Sequence, residues 1–143
     1  MNRKALALWH GTGRDGNGTI STESGALSNA AYSYRTRFGS AVGTNPEELL
    51  AAAHAGCFTM AVAFQLQQAG HPATTLYTDA VVTVDTEGGI LQITRSALTL
   101  RGVVPGLDQA EFERVANEAA SNCPVSRVLK AAITLTCTLA DTL

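Results

Sequence analysis

Two cysteines of this chain stand in settings that suit sulfur chemistry, Cys57 within the apolar run AAAHAGCFTMA and Cys123 directly before Pro124 in NCPVSRVL. A thiol enclosed in a helix and a thiol at a helix start can act in turn, one sulfur attacking an oxidant and the other resolving the product. Pro124 reads as the first residue of a helix, which makes Cys123 its N-cap. There a thiolate accepts backbone N–H bonds from Val125 or Ser126 and feels the positive end of the helix dipole, so a lowered pKa is expected. Cys57 has no such help: in mid-helix among Ala53, Phe58 and Ala61, it stays neutral unless a cation reaches it. YRTRFG reads as a strand with Arg35 and Arg37 on one face, so either guanidinium is a candidate for that cation. Cys137 falls on the apolar face of a strand, where a free cysteine behaves as a small inert hydrophobe.

These residues need elements to hold them. TNPEELLAAAHAGCFTMAVAFQLQQAG carries a complete helix signature, with Asn45 as N-cap, Pro46 at N1, Glu47 and Glu48 at N2 and N3, and Gly70 as terminator. Its body is apolar on nearly every face, which predicts a central rod wrapped by protein all round. Before it, Ala5 to Trp9, Thr19 to Glu23 and Ala31 to Phe38 read as short strands of a meander, bounded by Gly, Asn and Asp clusters. After it, Leu76 to Asp85 and Ile90 to Arg101 read as strands joined by a hairpin at TEGG. Asp108 caps an amphipathic helix with Phe112, Val115, Ala116 and Ala119 at helical spacing. Pro124 to Ala131 reads as a short helix, and Ile133, Leu135, Cys137 and Leu139 alternate with threonines as a closing strand. The order predicts one α+β domain over residues 1–143 with an antiparallel sheet.

The chain has 143 residues, a formal net charge of -2, 45% apolar and 15% charged residues, so no basic field draws it to nucleic acid. Leu49 to Phe64, its most apolar segment, is shorter than the roughly 20 residues of a spanning helix and reads as core. MNRKALALWHG lacks a proper signal core, and with no C-x-x-C spacing among three cysteines a cytoplasmic protein is expected, with no metal, cofactor or membrane partner. GTGRDG at Gly11 to Gly16 matches the dinucleotide fingerprint, but NGTISTE follows it with a turn and strand formers instead of a helix.

TRFGSAVGTNPEELLAAAHAGCFTMA followed by NCPVSRVLKAAITL resembles the OsmC/Ohr family of bacterial thiol peroxidases, and the OsmC branch most closely, from about Trp9 to the C-terminus. The resemblance implies the OsmC-like fold, antiparallel sheets packed around a long central helix, in an intertwined homodimer with active sites at the subunit interface. It implies reduction of organic hydroperoxides, with Cys57 as the attacking thiolate, Cys123 as the resolving thiol, and Arg37 with Glu47 as the pair that activates Cys57. Arg37 rather than Arg35 matches by its place before Phe38 and Gly39. A thiol or dithiol reductant, of the lipoamide type in the Ohr branch, returns the electrons. Glu47 and Cys57 lie ten positions apart, roughly 15 Å along an unbroken helix. Either Glu47 meets the sulfur from the partner chain or the helix bends near Gly56.

Two other chemistries compete. His54, three residues before Cys57 on the same helical face, could serve it as a base in a cysteine hydrolase or acyltransferase. His54, Cys57 and Cys123 could also be soft ligands of a metal-binding redox sensor.

Overall fold

The computed structural model describes all residues, Met1–Leu143, in the order β1 (Ala5–His10), β2 (Asn17–Thr22), β3 (Ala30–Ser33), α1 (Tyr34–Phe38), α2 (Pro46–Gln68), β4 (Thr75–Glu87), β5 (Ile90–Val103), α3 (Gln109–Asn122), α4 (Pro124–Val128) and β6 (Ala132–Leu139). The chain forms two compact units, Met1–Leu49 and Leu50–Leu143, the boundary falling inside α2.

The first unit is an antiparallel meander, β1 pairing β2 from Ala5↔Thr22 to His10↔Asn17 and β2 pairing β3 from Asn17↔Ser33 to Ile20↔Ala30. GTGRDG is the loop of the first hairpin, leading from strand to strand, so it lacks the helix that a dinucleotide fingerprint requires. The expected strand Ala31 to Phe38 is corrected here: it ends at Ser33 and becomes a helical turn. Ser33 Oγ accepts the Thr36 N–H at 3.2 Å while Thr36 Oγ1 accepts the Ser33 N–H at 2.9 Å, a reciprocal capping box that turns the chain. Arg35 and Arg37 therefore do not share a strand face; two helical positions separate them by about 200° around the axis.

α2 starts as its signals predict, with Asn45 Oδ1 accepting the Glu48 N–H at 2.8 Å. It continues through Gly56 as one helix of 23 residues and ends before Gly70, whose φ is 83°. That is long and apolar enough to cross a membrane by length and composition, yet His54, Phe58, Val62 and Leu66 form a stripe packed inside the protein. The expectation of a rod wrapped on every face needs correction for the single chain. Only that i, i+4 stripe is fully buried, and Met60 and Phe64 are 61% and 58% exposed.

In the second unit β4 and β5 form a long hairpin closed by Glu87↔Ile90, and the two linking residues, Gly88 (φ 58°) and Gly89 (φ 81°), supply the left-handed pair of a type I′ turn. β6 joins β5 in parallel, from Arg95↔Ala132 to Gly102↔Leu139, where the sequence pattern had suggested only antiparallel neighbours. Parallel pairing needs a crossover, and α3 with α4 provides it. Asp108 Oδ1 caps α3 by accepting the Glu111 N–H at 2.8 Å. α4 stops at Val128 instead of Ala131, because Leu129 turns extended (ψ 124°) to lead into β6.

Leu98 and Leu100 of β5 pack with Phe58, Val62 and Leu66 of α2 and with Phe112, Val115, Ala116 and Ala119 of α3. Gly102 continues the inward face of β5, and a Cβ there would lie 2.7 Å from the Phe112 ring, so its bare backbone is what seats α3 on the sheet. α3 ends at Asn122, directly before Cys123, which is itself part of this core.

Candidate active site

Cys57 and Cys123, 66 positions apart in sequence, are brought near enough to act on each other's ionisation, Cys57 by α2 and Cys123 by the α3–α4 junction. Both are free thiols, Cys123 fully buried and Cys57 half-buried. Cys123 is the N-cap of α4, as Pro124 at N1 predicts, although its sulfur closes no capping bond of the geometry that a serine or aspartate makes. Burial pushes its pKa up, but the Ser126 amide, the Cys57 thiol, the Ser126 hydroxyl and the Val125 amide together hold it below the ordinary thiol value. Burial pushes Cys57 the other way, above that value; the Val125 amide opposes the shift, and the neighbouring Cys123 adds to it. Of the two sulfurs, Cys123 is therefore the one whose ionised form the surroundings favour. Cys137 is held above the ordinary range by burial and then by Glu113, and it packs against the core as an inert thiol.

Arg37 and Glu47 form a second pair, within the first unit. Nε donates to Oε1 at 3.0 Å and Oε2 at 3.1 Å, and Nη2 to Oε1 at 2.5 Å, a planar fork on a carboxylate that is only 13% exposed. The capping box of α1 places Arg37, and the first turn of α2 places Glu47. Glu48, at N3, accepts the Thr44 hydroxyl at 3.0 Å. A cleft of about 150 Å³ opens beside the guanidinium, lined by Trp9, Tyr32, Tyr34, Phe38 and Pro46. The recurrence of aromatics on both sides of the Ser33–Thr36 turn was the sequence signal for this cleft.

His54 does not serve Cys57. Its ring is fully buried, with Nδ1 2.7 Å from Ser96 Oγ and Nε2 2.8 Å from Ser126 Oγ. Both nitrogens are therefore occupied by serines, which removes the base of the hydrolase reading and the nitrogen ligand of the metal reading. Burial lowers the pKa of His54, so the ring is neutral. Ser96 went unnoticed in the sequence, and Ser126 entered only as a backbone donor to Cys123. Ser126 at N3 of α4 was legible, because a side chain at that position reaches back to the N-cap.

The sequence matches the family described as OsmC-like protein over residues 39–138. It is 45% identical over 135 residues to a protein of Escherichia coli (strain K12) named Peroxiredoxin OsmC, with 94% of each chain covered. It is 33% identical over 142 residues to a protein of Xanthomonas axonopodis pv. citri named Organic hydroperoxide resistance protein, with 96% of each covered. The crystal structure of an organic hydroperoxide resistance protein from Elizabethkingia anophelis shares the fold, with a TM-score of 0.79 at 24% identity over 98% of this chain and 97% of that one.

Proposed function

This chain belongs to the OsmC family, and we propose that it is a thiol-dependent peroxidase that reduces organic hydroperoxides to alcohols. The observation that carries the proposal is the nearness of two sulfurs so distant in sequence, each acting on the other's ionisation. In this reading the Cys57 thiolate attacks one peroxide oxygen. The O–O bond breaks, Cys57 becomes a sulfenic acid, and the other oxygen leaves as an alkoxide that takes up a proton. Cys123 then attacks the sulfenic sulfur, the S–S bond forms as the S–O bond breaks, and hydroxide leaves as water. A thiol or dithiol reductant, for example of the lipoamide type, supplies the two electrons that reopen the disulfide.

On this reading a single chain is a poor peroxidase. Burial and Cys123 keep Cys57 protonated at neutral pH, so the attack needs a cation. Arg37 is the proposed cation, with a permanent charge and fixed donors for both the thiolate and the departing alkoxide. Glu47, which grips it, lies ten positions from Cys57 on a helix that continues through Gly56, roughly 15 Å of rise. We therefore place the Arg37–Glu47 pair at the Cys57 of a second copy, in a homodimer with its active sites at the subunit interface. The exposed Met60 and Phe64 of α2 are suited to such a partner. The aromatic cleft beside Arg37 favours a bulky alkyl hydroperoxide over hydrogen peroxide, which gains little from apolar walls. A cytoplasmic location belongs to the same reading, since the cycle starts from free thiols.

Intact-mass spectrometry of the reduced protein with one equivalent of cumene hydroperoxide tests the cycle. The proposal requires loss of two thiols per chain, a Cys57–Cys123 link and a free Cys137. Cys57→Ser should abolish peroxide reduction, whereas Cys123→Ser should allow one turnover followed by over-oxidation of Cys57. Undiminished turnover by Cys57→Ser would end the assignment.

A further inference from the structure

We propose that His54 is a positioning residue for the second step of the peroxidase cycle: its ring, bonded to Ser96 on one side and Ser126 on the other, clamps the first turn of α4, and Cys123 with it, to the helix that carries Cys57. The clamp takes its role from the peroxidase reading above and its existence from hydrogen-bond geometry.

The bond between His54 Nε2 and Ser126 Oγ, 2.8 Å long, joins α2 to α4. Each end of it lies one helical turn from a cysteine. His54 precedes Cys57 by three residues on α2, and Ser126 follows Cys123 by three at the start of α4. Residues three apart on a helix have Cβ atoms about 5–6 Å from one another, so a bond that fixes the distance from His54 to Ser126 also limits how far apart the two cysteines can stand. Within α4 the coupling is stiff, because the Arg127 N–H donates to the Cys123 carbonyl at 3.0 Å and closes the turn that contains Ser126. On the other side of the ring, Nδ1 is 2.7 Å from Ser96 Oγ. Ser96 belongs to β5 and is paired with Val82 of β4 on one side and Ile133 of β6 on the other, so the ring is anchored to the middle strand of the sheet. His54 and Ser96 are fully buried, so water does not replace the bond between them. A neutral ring donates with one nitrogen and accepts with the other, and a serine hydroxyl does either, so both contacts are satisfied together.

Little else fastens α4. None of its five residues is buried, Val128 is 74% exposed, and Val125 alone packs against the core. A segment with so little buried apolar surface opens easily unless side-chain bonds restrain it. The Cys123 N–H donates to the Ala119 carbonyl at 2.8 Å, which ties the junction to α3; His54 supplies its tie to α2. That tie decides a race. Once Cys57 is a sulfenic acid, Cys123 can attack it: the S–S bond forms, the S–O bonding pair leaves with hydroxide, and hydroxide takes up the thiol proton as water. Alternatively a second hydroperoxide transfers an oxygen to Cys57, leaving a sulfinic acid and an alcohol. A misplacement of 1 Å can cost about 10²-fold in such an encounter, so a Cys123 held in reach closes the disulfide first.

Equilibrating the full-length protein with reduced and oxidised glutathione measures the effective concentration of the Cys57–Cys123 pair with no peroxide present. Ser126→Ala should lower it by about tenfold, as for a hydrogen bond whose buried partner is left unsatisfied, and Ser126→Thr, which keeps the hydroxyl, should restore it. The two nitrogens can also be separated. His54→Gln carries a polar group out to about the reach of Nε2 and should retain most of the effective concentration, whereas His54→Asn reaches Ser96 alone and should lose as much as Ser126→Ala. A general loss of stability leaves this quantity unmoved while the protein is folded, which circular dichroism at the same temperature establishes. With excess cumene hydroperoxide, intact mass should show the ratio of disulfide to Cys57 sulfinic acid falling about tenfold in Ser126→Ala. A wild-type effective concentration in Ser126→Ala or in His54→Asn would overturn the clamp. Failure of the peroxidase reading shows itself differently, as no peroxide loss with the unaltered protein, and the glutathione equilibrium decides the clamp even then.

Discussion

Arg37→Ala separates the proposed activation of Cys57 from mere folding. The pair it breaks is more than a third exposed on the arginine side, so the stability loss should be about 1 kcal/mol and the variant should fold. Activity should respond far more. A thiol of ordinary pKa, about 8.5, is only about 3% ionised at pH 7, and Cys57 in its own chain is pushed above that value. Losing the cation therefore costs about thirtyfold or more through ionisation alone. Losing a fixed donor to the departing alkoxide costs a further 10²-fold or so, which brings the loss in kcat/KM to on the order of 10³ or beyond. The pH profile carries the signature: the variant's rate should climb about tenfold per pH unit up to the thiol pKa, whereas the wild type should already be level near neutrality. Subunit mixing then locates the arginine. Equal amounts of Arg37→Ala and Cys57→Ser chains, each inactive, should yield about a quarter of wild-type sites if Arg37 acts across a two-fold dimer. If it acts within its own chain, mixing restores nothing. An Arg37→Ala protein with wild-type kcat/KM and a level profile would refute the assignment of this cation altogether.

Two further predictions concern the scaffold. Gly102→Val drives side-chain atoms into the Phe112 ring and should lower stability by about 1–3 kcal/mol in urea melts; an unchanged midpoint would mean that α3 does not depend on this close approach. Cys137, with a folded pKa raised by burial, resists ionising while the unfolded thiol does not, so stability should fall as pH rises above the unfolded value and up to the folded one. Cys137→Ala should remove up to about 1.4 kcal/mol per pH unit of that alkaline slope, and a slope unaffected by the substitution would show that this thiol is solvated in the native state.

What the sequence disclosed was local. The Asn45 cap with Pro46, the glycine pair at Gly88 and Gly89 and the Asp108 cap each act over three or four residues, so their chemistry is written in adjacent letters. The Ser33 capping box was missed because its N3 partner is Thr36 instead of Glu or Gln, within a stretch, AAYSYRTRF, whose aromatics read as strand. The parallel entry of β6 could not be foreseen from its alternation, which is the same for either direction of pairing. The lowered pKa of Cys123 was predictable from Pro124, and so was the neutral Cys57. Their nearness was not predictable from spacing; only the family resemblance suggested it. The partners of His54 lie 42 and 72 positions away, beyond any local pattern, and they make it a hydrogen-bonded core histidine instead of the base of a hydrolase.

The crossover that makes β6 parallel also sets a timetable for biosynthesis. Cys57 leaves the ribosome 66 residues ahead of Cys123, which at about 5–20 residues per second is an interval of roughly 3 to 13 seconds. Throughout it the nascent chain carries the first sulfur without the second, and any sulfenic acid formed then has no built-in rescue. An unfolded thiol, only a few per cent ionised at neutral pH, reacts sluggishly. On the proposed function, in which Cys57 is activated only by assembly, the sulfur stays dormant during translation and meets peroxides only once Cys123 is in place.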